Sequence, residues 1–182
     1  LVLGGPLPHV IAAKAVALKE ASEPSFALYA EQIVRNAKAL ATSLLEKGME
    51  LTTGGTENHL LVADVAKAFG LTGRQAETAL SQAGLTVNRN AVPFDVNGPW
   101  YTSGIRIGTP AITTLGMEED EMEEIADCIY TLLKGCKSVP AEEGKAPSKA
   151  KVDVDPKVLE EVRARGKDLL SRFPLYPELL ID

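Results

Sequence analysis

The chain has 182 residues, 45% of them hydrophobic and 24% charged, the balance of a globular protein of ordinary size. A net charge of −6 argues against a general binder of nucleic acid or of an anionic membrane surface, yet leaves room for one local anion site. Cys128 and Cys136 carry no CxxC spacing and read as inert thiols suited to a reducing cytoplasm; His9 and His59 stand alone, so no metal site is expected, and no apolar run reaches the about 18 residues of a membrane span.

The opening "LVLGGPLPHV" has neither an initiator methionine nor a signal-peptide layout, and suggests a piece of a longer chain. Gly4 and Gly5 stand just before a helix start. Their free backbone N–H groups suit a phosphate, or simply a tight turn; no GK[ST] follows, so this is not a Walker motif. Residues 8–21 are rich in alanine and predict a helix buried against another surface. In residues 24–47, Phe26, Ala30, Ile33, Ala37, Leu40 and Leu44 recur as one stripe of a long helix, opened by Pro24 and closed by Gly48. A short strand at 50–53, a turn at Gly54 and Gly55, and a buried strand at 58–65 follow. Thr72 with Gln75 spells a capping box and Leu71 with Ala76 a hydrophobic staple, so a helix runs on to Gly84. Residues 85–88 predict a strand with Leu85 and Val87 on one face.

Residues 89–103 have no period, are rich in turn formers, and hold Phe94, Trp100 and Tyr101. A loop of this length is more often functional than spare. Phe94 and Trp100 suit stacking on a flat ring, or packing beneath the loop; Asn88, Arg89 and Asn90 offer donors beside them, or cap turns. His59 reads as a ligand donor or as part of a capped strand start. On a strand at 104–108, Ile105 and Ile107 face one side, and Gly104, Arg106 and Gly108 the other. Arg106 there fits a carboxylate or phosphate held by two parallel hydrogen bonds, or an internal ion pair. Thr109 and Pro110 open a short helix, and Glu118 to Asp120 the next, over 118–134, with Met122, Ile125, Ile129 and Leu132 inward. Residues 137–152 are aperiodic and rich in Lys, Ala and Pro, the composition of a linker. A terminal helix follows from Asp155 and Pro156, with Leu159, Val162 and Leu169 inside. The aromatic tail after it is expected to pack on a neighbour. The sum is a small α/β sandwich, one sheet covered on one face. No Ser-His-Asp or Cys-His pairing and no carboxylate pair stands out.

Taken together and in order, "GGPLPHVIAAKAVALKEA", "GGTENHLLVADV", "TVNRNAVPFD" and "TSGIRIGTPAITTLGM" resemble serine hydroxymethyltransferase over residues 1 to about 135, and more loosely beyond 137. The resemblance implies the C-terminal part of a fold-type I, pyridoxal-phosphate-dependent transferase. Residues 1–48 would be the end of the large domain and connecting helices, 49–136 the small α/β domain, and 137–182 a linker, terminal helix and tail. It implies pyridoxal 5'-phosphate as cofactor and the interconversion of serine plus tetrahydrofolate with glycine plus 5,10-methylenetetrahydrofolate, in a cytoplasmic homodimer or tetramer. Arg106 would grip the amino acid's α-carboxylate. Asn90, Gly98, Pro99 and Trp100 would contact the folate, and Gly4 or Gly5 would meet the cofactor phosphate of the other subunit. The family's folate segment usually has Ser and Phe where this chain has Gly98 and Trp100. The Schiff-base lysine has no counterpart here, so the catalytic residues are expected upstream of Leu1 and this chain alone is expected to be inactive. Two other readings stay open: a different enzyme of the same fold, such as an aminotransferase, and a non-catalytic binding or assembly module.

Overall fold

The computed structural model describes residues 4–140 and 147–176; residues 1–3 and the end of the aromatic tail, 177–182, lie outside the described residues. Helices α1 (Pro8–Ala21) and α2 (Pro24–Glu46) each open on a proline, whose missing N–H costs nothing in a first turn. Within the described residues α1 buries nothing and leaves Ile11, Val16 and Leu18 exposed, so this chain itself does not supply the surface expected to cover it. The apolar side chains of α1 surround the axis instead of forming a stripe. The stripe of α2 is buried from Ile33 onward, through Ala37, Leu40 and Leu44, whereas Phe26 and Ala30 are exposed.

The remaining elements are β1 (Glu50–Leu51), β2 (Leu60–Asp64), α3 (Val65–Phe69), α4 (Gly73–Gln82), β3 (Asn88–Asn90), α5 (Gly98–Tyr101), β4 (Gly104–Gly108), α6 (Pro110–Thr114), α7 (Glu119–Lys134), β5 (Cys136–Pro140), β6 (Pro147–Val154) and α8 (Pro156–Arg172). The first four strands form one antiparallel sheet in the order β1-β2-β4-β3. Its register pairs Leu61 with Ile107 and Ala63 with Ile105. All four are buried, and with α2, α4 and α7 they build the core. The alternate residues, among them Val62 and Arg106, face away from it, giving the one-sided sheet that the alternation of "GIRIG" predicts.

Four local expectations need correction. Residues 85–87 make no ladder pairing, and β3 starts at Asn88. The Leu85 amide instead donates to Leu80 O at the end of α4 (2.9 Å), so Leu85 and Val87 pack on the core while closing a helix. The Thr109 hydroxyl does not cap α6; it donates to Ile33 O of α2 (2.8 Å). Leu159 is only half-buried in α8, while Val162 and Leu169 are buried. Finally, the supposed linker at 137–152 contains, on either side of residues 141–146, which lie outside the described residues, the antiparallel strand pair β5 with β6, pairing Cys136 with Val154 and Lys137 with Asp153.

Gln75 and Thr72 help to hold the β5–β6 pair, whose Val152 and Val154 also pack on the core. The capping box forms as expected: Thr72 N donates to Gln75 Oε1 (2.8 Å), and Gln75 N to Thr72 Oγ1 (3.2 Å). The same two side chains then reach outward. Gln75 Nε2, with two hydrogens to give, lies within hydrogen-bond distance of Ser138 Oγ, Ser148 O and Lys151 O, at 2.9, 2.7 and 2.8 Å. Thr72 Oγ1 donates to Lys149 O at 2.7 Å. Asp127 on α7 accepts from Lys47 and Arg165, both at 2.7 Å, and so ties the end of α2 and the middle of α8 to the same core. Its carboxyl is held below the ordinary aspartate value by the Lys47 and Arg165 hydrogen bonds.

Replacing Gln75 with alanine should remove its contacts to the part-buried Ser148 and Lys151 carbonyls and one arm of the capping box. The expected loss is about 1–3 kcal/mol in urea denaturation, with amide exchange accelerated first in β6.

Candidate functional site

The site is built outward from β4. Strand alternation aims Arg106 off the uncovered face, between Val62 of β2 and Asn88 of β3, its direct cross-strand neighbours. Arg106 is exposed. Its Nη2 donates to Asn88 Oδ1 at 3.3 Å, and among the described residues no carboxylate lies within 4.0 Å of it. The internal ion pair, one of the two sequence readings, is therefore not formed there.

The glycines beside Arg106 act differently from each other. A Cβ on Gly108 would meet His59 O at 3.5 Å, an ordinary contact. A Cβ on Gly104 would sit 2.8 Å from Val92 Cγ1, 2.9 Å from Ala63 O and 3.1 Å from Asn90 O. Gly104 thus lets the 91–97 loop settle on the sheet; it does not clear space for a ligand. Asn90 lies on the same face as Asn88 and Arg106, and its Nδ2 donates to Ala91 O at 2.7 Å. His59 uses its carbonyl, which accepts from Thr109 N (3.0 Å); Asn58 caps the start of β2 through Leu60 N (2.9 Å).

Asp95 organises the loop. It accepts from Val92 N (3.1 Å), Asn97 N (2.8 Å), Ser103 N (2.8 Å) and Ser103 Oγ (2.7 Å). Burial opposes its ionisation, but the Ser103 hydroxyl and the three amides outweigh burial and hold the carboxyl below its ordinary value. The backbone around it is strained. Phe94 and Thr102 adopt φ of 59° and 56°, a region that bulky and β-branched residues rarely enter. Gly98 has φ 69°, which gives its glycine a backbone reason. Phe94 is fully exposed, so it does not pack beneath the loop.

Gly98, Pro99 and Trp100 form the one-turn helix α5 beside α4. Trp100 is 61% exposed. The guanidinium carbons of Arg74 and Arg89 each stand 5.3 Å from its ring centroid, within cation–π range. Arg89 is itself fixed by Glu77, which accepts from its Nη1 (3.0 Å) and its backbone N (3.2 Å). The structure thus brings Arg106, Asn88 and Asn90 together on the open face and sets Trp100 with Arg74 and Arg89 at the α4 side of the β3 edge. Gly4 and Gly5 are exposed before α1, and no hydrogen bond joins them to either group.

The partnership of Arg74 and Glu77 with the loop was not legible in the sequence: both are ordinary polar positions of a capped helix. The surroundings of Arg106 form a wall, not a pocket. A markedly apolar cleft of about 520 Å3 lies under α8 between Leu85, Val87, Ile112 and Leu169. Among the described residues no group of three metal-ligating side chains occurs, and no helix is long and apolar enough to cross a membrane. Burial pushes the Cys136 thiol up to about 11, the behaviour of an unreactive thiol.

A one-sided antiparallel sheet presenting an arginine with no carboxylate partner among the described residues, flanked by a strained aromatic loop, makes this an α/β module with an open guanidinium on its uncovered face. The family profile described as "Serine hydroxymethyltransferase" matches residues 2–129. Serine hydroxymethyltransferases of Cutibacterium acnes and Treponema pallidum are 52% and 54% identical over 179 residues, 98% of this chain but 36% and 31% of theirs. That of Chlamydia caviae is 52% identical over all 182 residues and 36% of its own length. The chain belongs to the serine hydroxymethyltransferase family, and it spans about a third of the length of the curated relatives it matches.

Asp95→Asn should destabilise the chain by about 1–2 kcal/mol at neutral pH. Because the folded-state value is lowered, the aspartate's contribution is fully present above its ordinary 3.8 and is lost as pH falls through the folded value. Denaturation of both proteins should show the difference at pH 7 and its shrinkage toward pH 3.

Proposed function

We propose that this chain is the C-terminal part of a serine hydroxymethyltransferase and that it supplies the substrate-carboxylate clamp and the folate loop of that enzyme. The observation that carries the reading is Arg106: an exposed guanidinium on a rigid strand, with no carboxylate partner among the described residues. Its planar fork suits an amino acid's α-carboxylate, held by two parallel hydrogen bonds.

The reaction is the interconversion of serine plus tetrahydrofolate with glycine plus 5,10-methylenetetrahydrofolate. The chain's own contribution is positional. Arg106 fixes the carboxylate and with it the orientation of the bond to be broken. Trp100, with Gly98 and Pro99, offers an aromatic surface for the folate, and Asn90 offers its unengaged amide oxygen to the pteridine. Gly4 and Gly5 fit the phosphate of pyridoxal 5'-phosphate in another subunit: both are exposed, and neither has an atom within 4 Å of the position of a Cβ. The chemistry supplied by that cofactor, when bound, is an electron sink for the carbanion left on the α-carbon. The lysine that holds it, and the proton-transfer groups, are assigned to the N-terminal part of the same enzyme. The division into 1–48, 49–136 and 137–182 belongs to this reading, with β5 and β6 added to the third unit, as do a cytoplasmic location and a homodimer or tetramer.

In the full-length enzyme, Arg106→Lys should weaken serine binding by about tenfold or more, because lysine lacks the bidentate fork; serine affinity within about twofold of the parent's sinks the clamp. Trp100→Ala should weaken tetrahydrofolate by several-fold to about tenfold while leaving serine affinity in place. Folate affinity unchanged in that variant would favour an aminotransferase-like enzyme.

A further inference from the structure

Asn88 sits directly opposite Arg106 across the β3–β4 ladder, and its Oδ1 is the side-chain acceptor for Arg106 Nη2, at 3.3 Å. Its own placement does not depend on Arg106. The next residue, Arg89, is pinned to α4 through its backbone N and its guanidinium, both to Glu77, and Trp100 lies against that guanidinium. The edge strand is therefore fixed from the helix side, and Asn88 stands at a defined point on the open side.

The chemistry of the acceptor matters as much as its place. A guanidinium has five N–H donors. A neutral amide oxygen engages one of them, limits the swing of a long side chain, and leaves the charge and the remaining donors available. A carboxylate in the same position would form an ion pair and compete with any incoming anion.

We propose that Asn88 is a positioning residue for the carboxylate clamp, a neutral stop that aims Arg106 without neutralising it. The inference rests on the reading of Arg106 as the clamp. It is tested in the full-length enzyme with Asn88→Asp, Asn88→Ala and Arg106→Lys side by side. Asn88→Asp keeps size and shape at an exposed strand position, so folding is expected to survive; thermal unfolding checks this. The expected result is a serine KM raised about tenfold in Asn88→Asp and several-fold in Asn88→Ala. The KM for tetrahydrofolate should stay within about twofold, and kcat should change less than the serine KM. If Arg106→Lys raises the serine KM while Asn88→Asp leaves it within about twofold, the positioning role is wrong and the clamp stands. If neither variant moves it, the clamp reading falls and this inference with it. Equal losses for serine and folate in Asn88→Asp would mark a general disturbance of the strand and also overturn the role.

Discussion

The register of β4 between β2 and β3 is the constraint on which the open face depends. Side chains alternate along a strand, so a slip of one residue would carry Arg106 into the core and turn Ile105 and Ile107 out to water. Burying an unpaired guanidinium is among the costliest changes a small fold can suffer. The two ladders are short, and β4 is secured at both ends by polar contacts outside them. After the strand, Thr109 Oγ1 donates to Ile33 O on α2. Before it, Ser103 is bound by Asp95, and Thr102 O accepts from Gly73 N at the first turn of α4 (3.0 Å). The strand that carries the arginine is thus tied to two of the helices that build the core, α2 and α4, and the side chain inherits their rigidity.

The same junction explains the strain nearby. Gly73 packs so closely on the 102–104 turn that a Cβ there would lie 2.2 Å from Thr102 Oγ1 and 2.3 Å from Gly104 O. Thr102 holds its left-handed backbone beneath that contact, with its amide donating to Gly98 O at the end of α5 (2.9 Å). Strain of this kind persists only where surrounding contacts over-determine it, and here Asp95, Gly73 and Gly98 do so. The result places a one-turn helix, and with it Trp100, beyond the edge of β3. Arg89 belongs to the same edge but points to the helix side, while Asn88 and Asn90 point to the open side. One three-residue strand therefore separates a cation–π cluster from the exposed Arg106 guanidinium by simple alternation.

What was legible in the sequence follows from this physics. Alternation in "GIRIG" and the Thr72–Gln75 spacing are local signals, and both read through to the structure: a buried isoleucine pair, an outward arginine, a formed capping box. The signal in 148–154 was weaker: Ser148, Ala150, Val152 and Val154 alternate in burial with exposed Lys149, Lys151 and Asp153, but serine and alanine give that alternation little hydrophobic contrast. The amide of Gln75, 73 and 76 residues earlier, adds contacts to the Ser148 and Lys151 carbonyls that no local pattern announces. The stripe on α2 was real, yet periodicity cannot say where a helix leaves its core, and Phe26 and Ala30 lie past that point. In the candidate site, the arginine and its direction were readable. The role of Gly104 was not: a glycine beside a charged residue looks like room for a ligand, and the Val92 contact that fills it comes from a loop without period.

The acidic balance of the chain and the exposed Arg106 are compatible because net charge is a sum and the field at one site is local. Much of the acidity is already engaged: Glu119 with Gln32 and Arg35, Asp127 with Lys47 and Arg165, Glu50 with Lys67, Glu77 with Arg89. Arg106 and Arg74, by contrast, have no carboxylate within 4.0 Å among the described residues. Positive charge is therefore left uncompensated at Arg106 on the open sheet face and at Arg74 on the α4 side, in a chain of net charge −6. A small carboxylate near one guanidinium would feel little of the distant negative charge, which salt screens over about 8–10 Å. A nucleic acid would meet the whole of it. Any discrimination between a small anion and a polymer would thus come from where the charges are paired, and not from how many there are.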